Sequence, residues 1–182
     1  MKREIVLAGG CYWGAQQYLA NIAGVLKTEV GYANGHTEAP SYEQVKHEHT
    51  GHAEAVRVAY DDERLPLATL LQLFFLAIDP TAVDRQGPDV GHQYRTGIYY
   101  TDPKDGETAK AALTALEAKL GRPTAVECEP LMQFFRAEEY HQDYLEKNPG
   151  GYCHLPLAQI AWVRRVDPAR FRAEDAPHFD HT

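Results

Sequence analysis

The sequence predicts an α/β (α+β) protein with a ferredoxin-like split βαβ core. Three observations lead there. Four short apolar or alternating runs, each stopped by glycine, proline or polar turn residues, have the pattern of strands. Two stretches with apolar residues at helical spacing follow the first and the third of them. The resulting order, β-α-β-β-α-β, is that of a sheet with helices packed on one face.

In chain order, Glu4 to Ala8 is an apolar run stopped by Gly9 and Gly10, a buried first strand. Tyr12 to Ile22 reads as helix and ends near Gly24, and Val25 to Tyr32 alternates as a second strand. The stretch from Ala33 to Gly51 is polar and turn-rich with no clear period. A loop of that length in a compact domain is usually functional or disordered. Ala53 to Tyr60 is a third strand, and Pro66 to Ile78 carries Leu67, Leu70, Leu71, Phe74 and Ile78 at helical spacing. A second long loop, Asp79 to Arg95, leads into a fourth strand, Thr96 to Thr101. Pro103 opens a helix striped by Ala109, Ala112, Leu113, Leu116 and Leu120, and Gly121 closes it. Ala125 to Glu129 is a fifth strand, Glu138 to Lys147 a last amphipathic helix, and residues 156–182 an irregular tail.

At 182 residues the chain is expected to be one domain, 1–182, burying about two thirds of its unfolded surface. With 44% apolar and 24% charged residues the composition is that of a folded globular protein. Eighteen basic against 26 acidic residues leave a net charge of −8 and no basic block, which argues against nucleic acid or an anionic membrane surface as partner. The longest apolar run, Leu73 to Ile78, is far too short to span a bilayer. Three cysteines, Cys11, Cys128 and Cys153, are too few and odd in number for a disulfide framework. Lys2 and Arg3 before Ile5–Ala8 faintly imitate a signal peptide, but four apolar residues fall short of the about 7–15 such a segment needs. A cytoplasmic location is expected.

The chemistry starts at Gly10-Cys11-Tyr12-Trp13-Gly14, where the first strand turns into the first helix. Unpaired N–H groups at a helix start stabilise a thiolate, so the Cys11 thiol is expected to fall from its usual value of about 8.5. Flanking glycines would let a substrate approach, and Tyr12 and Trp13 would wall an apolar pocket. A lone cysteine is more often a small buried hydrophobe. The glycines and the helix start favour the nucleophile here.

These residues resemble the nucleophile motif of the A-type peptide methionine sulfoxide reductases, which more often have Phe where this chain has Tyr12. The resemblance continues at Gly31-Tyr32-Ala33, at Tyr42-Glu43-Gln44-Val45, at Thr50-Gly51-His52-Ala53-Glu54 and from Asp84 to Gly91. Gln93-Tyr94-Arg95-Thr96, Ala137 to Tyr144 and Asn148 to His154 complete a match over about residues 4–155. It implies that Cys11 attacks the sulfoxide sulfur and becomes a sulfenic acid. Glu54 would be the proton donor, with a pKa raised in a dry pocket. Tyr42 and Tyr94 would donate to the sulfoxide oxygen, Asp89 would orient the pocket, and Tyr12 and Trp13 would hold the S-methyl group. Cys153 would resolve the sulfenic acid as a disulfide with Cys11, which thioredoxin would reduce. The implied substrates are oxidised proteins and free methionine sulfoxide, S epimer, with no metal, flavin or nucleotide cofactor, both electrons coming from thiols. Cys128 matches no motif and reads as structural.

Three rival readings use the same residues. His47, His49 and His52 with Glu54 crowd imidazole and carboxylate ligands into eight residues, as in a metal-binding module, though no zinc spacing is present. A ferredoxin-like ligand-sensing domain would need no catalysis. A cysteine hydrolase would pair Cys11 with His52 or His141.

Overall fold

A computed structural model describes residues 1–180. The four expected strands are β1 (Lys2–Gly9), β2 (Val25–Ala33), β3 (Ala53–Asp61) and β6 (Thr96–Tyr100). With β7 (Glu127–Pro130) and β8 (Phe134–Arg136) they form a six-stranded sheet in the order β7-β6-β1-β3-β2-β8. Every junction is antiparallel except β6–β7. The molecule is therefore a mixed α/β fold, with the first strand at its centre.

Residues of alternate parity separate the two faces of the sheet. Ile5 and Leu7, Val30 and Tyr32, Val56, Val58 and Tyr60, and Ile98 lie in one large core with the helices. That layer is built from α1 (Tyr12–Ala20), α3 (Leu67–Leu76), α4 (Pro103–Leu120) and α6 (Leu157–Val163), which bury Tyr18, Leu70, Leu71, Phe74, Ala109, Ile160 and Val163 there. The opposite face carries Val6, Ala8, Ala33, Ala53, Ala55 and Tyr99, covered by Leu131 and Phe134. No helix among the described residues is long and apolar enough to cross a membrane.

The structure adds β8, absent from the sequence reading, and corrects that reading in four further places. The first long loop contains α2 (Tyr42–His47), opened by a Ser41–Gln44 capping box. Its six residues are too few for an apolar period to register. The second loop contains a small hairpin, β4 (Arg85–Gln86) and β5 (Asp89–Val90), and a 3₁₀ turn at His92–Tyr94. The amphipathic helix expected over Glu138–Lys147 is broken into a 3₁₀ turn, Glu139–His141, and α5 (Tyr144–Lys147). Gln142 explains the break. Its side chain accepts from Val30 N–H at 2.9 Å and donates to Val30 O at 2.9 Å, taking the place of a strand on β2, and Asp143 then turns back with φ 52°. The segment read as an irregular tail begins with α6.

Candidate active site

Strand β1 ends at Gly9, and Gly10 makes the turn into α1 with φ +84°, where an L side chain would meet Gln86 Cβ at 2.7 Å. A Cβ at Gly14 would lie 2.8 Å from His154 Nδ1 and 3.1 Å from Cys153 Sγ. These glycines admit Gln86, His154 and Cys153 against the helix start. Cys11 is the N-cap of α1 and is 8% exposed. The backbone N–H groups of Trp13 and Gly14 act on its sulfur as expected, lowering the pKa. Burial and the nearby Glu54 outweigh them, and the Cys11 thiol is held well above its ordinary value. The expected lowering is overturned because desolvation penalises the thiolate more than two N–H dipoles favour it.

Glu54 lies on β3 opposite Tyr32, on the same face as Val56 and Val58, so its carboxyl points into the helix-covered core. It is 1% exposed. Two donors meet it: Tyr12 N–H at 3.2 Å on Oε1 and Gln93 Nε2 at 2.7 Å on Oε2. Burial pushes its pKa up to about 7 against the lowering effect of both hydrogen bonds. Glu54 therefore touches the backbone of the residue after Cys11 and can carry a proton near neutrality.

Tyr42 opens α2 with its N–H donating to Glu138 Oε2 at 3.0 Å, and Tyr94 closes the 3₁₀ turn. Burial pushes the Tyr42 phenol up to about 12 and raises that of Tyr94, with the charges of Glu54 and Cys11 adding to both. Both phenols therefore lie within electrostatic reach of Cys11 and Glu54, and both remain donors. Asp89 on β5 accepts from Tyr152 Oη at 2.9 Å, and burial raises its pKa. Trp13 stacks on Tyr144 with ring centroids 3.7 Å apart and donates from Nε1 to His141 Nδ1 at 3.0 Å. The additional hydroxyl of Tyr12 is 3.0 Å from that of Tyr32, whose own O–H donates to Glu138 Oε1 at 2.9 Å. It is absorbed in this chain of hydrogen bonds.

The histidines do not converge. His47 and His49 are exposed, while His52 is buried with Nδ1 accepting from Gly35 N–H at 3.0 Å and Nε2 2.7 Å from Thr37 O. Among the described residues no group of three His, Cys, Asp or Glu side chains is placed to hold a metal ion. The metal-module reading falls, and with His141 engaged by Trp13, neither histidine proposed for a hydrolase is shown paired with Cys11. All three cysteines are free thiols.

The peptide methionine sulfoxide reductase family model matches residues 3–167. This chain belongs to that family. Among its relatives, MsrA of Lachnoclostridium phytofermentans is 54% identical over 85% of this chain and 93% of that protein. MsrA of Alkaliphilus metalliredigens is 52% identical over 85% of this chain and 98% of that protein. The crystal structure of reduced Mxr1 from Saccharomyces cerevisiae superposes with a TM-score of 0.79 at 36% identity, covering 84% of this chain and 88% of Mxr1. Methionine sulfoxide reductase A of Corynebacterium diphtheriae gives 0.76 at 35% identity, covering 86% and 80%. For a member of the peptide methionine sulfoxide reductase family, the sequence reading left several site neighbours without roles. Tyr32, Gln93, Glu138, Tyr144, Tyr152 and His154 all stand inside the motif segments, which was the one signal available. The contacts that single them out are made across the fold.

Proposed function

We propose that this chain reduces the S epimer of methionine sulfoxide, in proteins and as the free amino acid. The buried Glu54, hydrogen-bonded to the N–H that follows Cys11 and flanked by Tyr42 and Tyr94, carries this reading. The Cys11 sulfur attacks the sulfoxide sulfur while Glu54 and the two phenols protonate and hold the oxygen. The oxygen ends on Cys11 as a sulfenic acid, and the methionine sulfur gains the two electrons that Cys11 loses. Cys153 then displaces water to form a disulfide with Cys11, and a thioredoxin-type dithiol reduces that disulfide by exchange. Thioredoxin as reductant is supported by the family and by yeast Mxr1, which has also been crystallised in complex with Trx2. Asp89 and Tyr152 order one side of the pocket, and Tyr12 and Trp13 receive the methyl group.

Residues 1–182 are read as one catalytic, cytoplasmic domain without a cofactor. The order β6-β1-β3-β2, antiparallel at each junction, supports the ferredoxin-like description of its inner strands. The test is turnover of the two resolved sulfoxide epimers with dithiothreitol, by the unaltered protein and by Cys11→Ser. The S epimer should be consumed and the R epimer left, and Cys11→Ser should retain less than about a tenth of the rate. Equal use of both epimers, or an active Cys11→Ser, overturns the reading.

A further inference from the structure

We infer that Gln93 is the positioning residue of the proposed acid: its side-chain amide follows the protonation state of Glu54, donating to the carboxylate and, turned over, accepting from the carboxylic acid. The inference rests on the reading of Glu54 as proton donor. Glu54 and Gln93 are 1% and 9% exposed, so their partners are those of the protein interior. Of the two groups hydrogen-bonded to Glu54, Tyr12 N–H can only donate. When the carboxyl holds a proton, Oε1 still faces that N–H, and the proton belongs on Oε2. Oε2 faces Gln93 at 2.7 Å. A carboxylic O–H there needs an acceptor, and rotation of the terminal amide replaces Nε2 by Oε1. The orientation in the structure, with Nε2 towards Glu54, is the one suited to the ionised acid.

No other partner of Glu54 can serve both states. An apolar residue at 93 would leave the carboxylate without its shorter hydrogen bond in a buried site, where an unmade bond is costly. Gln93 also stands in the 3₁₀ turn directly before Tyr94, so the same contact ties the turn that carries that phenol to β3. The charged and titratable groups facing Glu54 come from β5, α2, the 3₁₀ turn and the start of α1. Asp89 on β5 opposes its ionisation and Lys46 on α2 favours it, while the Cys11 thiol and the phenols of Tyr42 and Tyr94 are neutral where Glu54 titrates. Gln93 is a neutral, non-titrating partner of Glu54, so it can be exchanged for another neutral side chain without altering the charge of the site.

The experiment is an isotope-edited infrared titration of the Glu54 carboxyl in the resting protein, unaltered and as Gln93→Met and Gln93→Glu, with the pH profile of single-turnover methionine formation beside it. Methionine matches glutamine in length but offers no strong donor. Gln93→Met removes a bond from both states, but the bond to the charged carboxylate is the stronger, so the Glu54 midpoint should rise by up to about one pH unit. In Gln93→Glu two carboxyls share one proton, and the pair should keep it to still higher pH. A midpoint in Gln93→Met that coincides with that of the unaltered protein overturns the inference, because a merely structural glutamine would change stability or KM and leave this titration in place. If the carboxyl midpoint moves and the rate profile does not, the pairing with Gln93 stands and the reading of Glu54 as acid fails instead.

Discussion

Cys11 and Glu54 are both removed from water, and both hold their protons to higher pH than the free side chains would. The charge of Glu54 adds to the rise of the Cys11 thiol, so the two titrations are coupled. Between about pH 7 and the raised range of the thiol the pair holds one proton. In the proposed reaction, attack needs that proton on the carboxyl and the negative charge on sulfur, which is the same protonation state. The single-turnover kcat/KM should therefore rise with pH through about 7, reach a plateau and fall again in the alkaline range. Glu54→Gln should remove the acid limb and slow the chemical step by about 10²–10³-fold, read by rapid-quench single turnover. A change smaller than about threefold would make Glu54 a bystander. The identity of both residues was legible from their motifs. The upward course of the thiol was not, since local sequence reports the helix start and not the burial over it.

At the scale of elements, apolar period found the long strands and helices and missed most of the short elements, β7 being the short strand it did find. α1, α3 and α4 start within a residue of the sequence reading, because nine or more residues display a stripe. α2, β8 and the β4–β5 hairpin are each shorter than one reliable period. Tertiary contact decided the helix broken at Gln142, where a side chain bound to β2 competes with the helical backbone. The two remaining cysteines differ in the elements that hold them. Cys153 lies against the first turn of α1, its Sγ 3.1 Å from where a Cβ on Gly14 would stand, whereas Cys128 sits on β7 near Gly106 O. Cys153→Ser should still form about one methionine per enzyme in a single turnover and then stall with thioredoxin. Cys128→Ser should cycle like the unaltered protein. Mass mapping after substrate without reductant should find Cys11 joined to Cys153, and a dominant Cys11–Cys128 link would reverse the roles.

For the whole molecule, the C-terminal helix tests whether one core extends from β1 to α6. Ile160 is 5% exposed within the large apolar cluster, and Leu157, on the same helix, is 73% exposed. Ile160→Ala should cost about 2–4 kcal/mol in a single cooperative urea transition, and Leu157→Ala less than about 0.5 kcal/mol. A separate early transition would mean that the segment folds apart from the sheet. The net charge of −8 and the absence of a long apolar run bounded the classes of partner from composition alone, while the strand order needed the structure. That strand order also bears on how the protein meets other chains that present unpaired backbone. An open sheet edge is a template on which such chains can add a strand and aggregate. Here β8 pairs with β2 from Gly31 to Ala33, and the Gln142 amide takes both backbone groups of Val30 next to it. The opposite margin, β7, carries Glu127 and Glu129 and ends in Pro130, which has no N–H to offer. Both margins of the sheet are thus short or blunted, which disfavours the addition of a further strand from another chain.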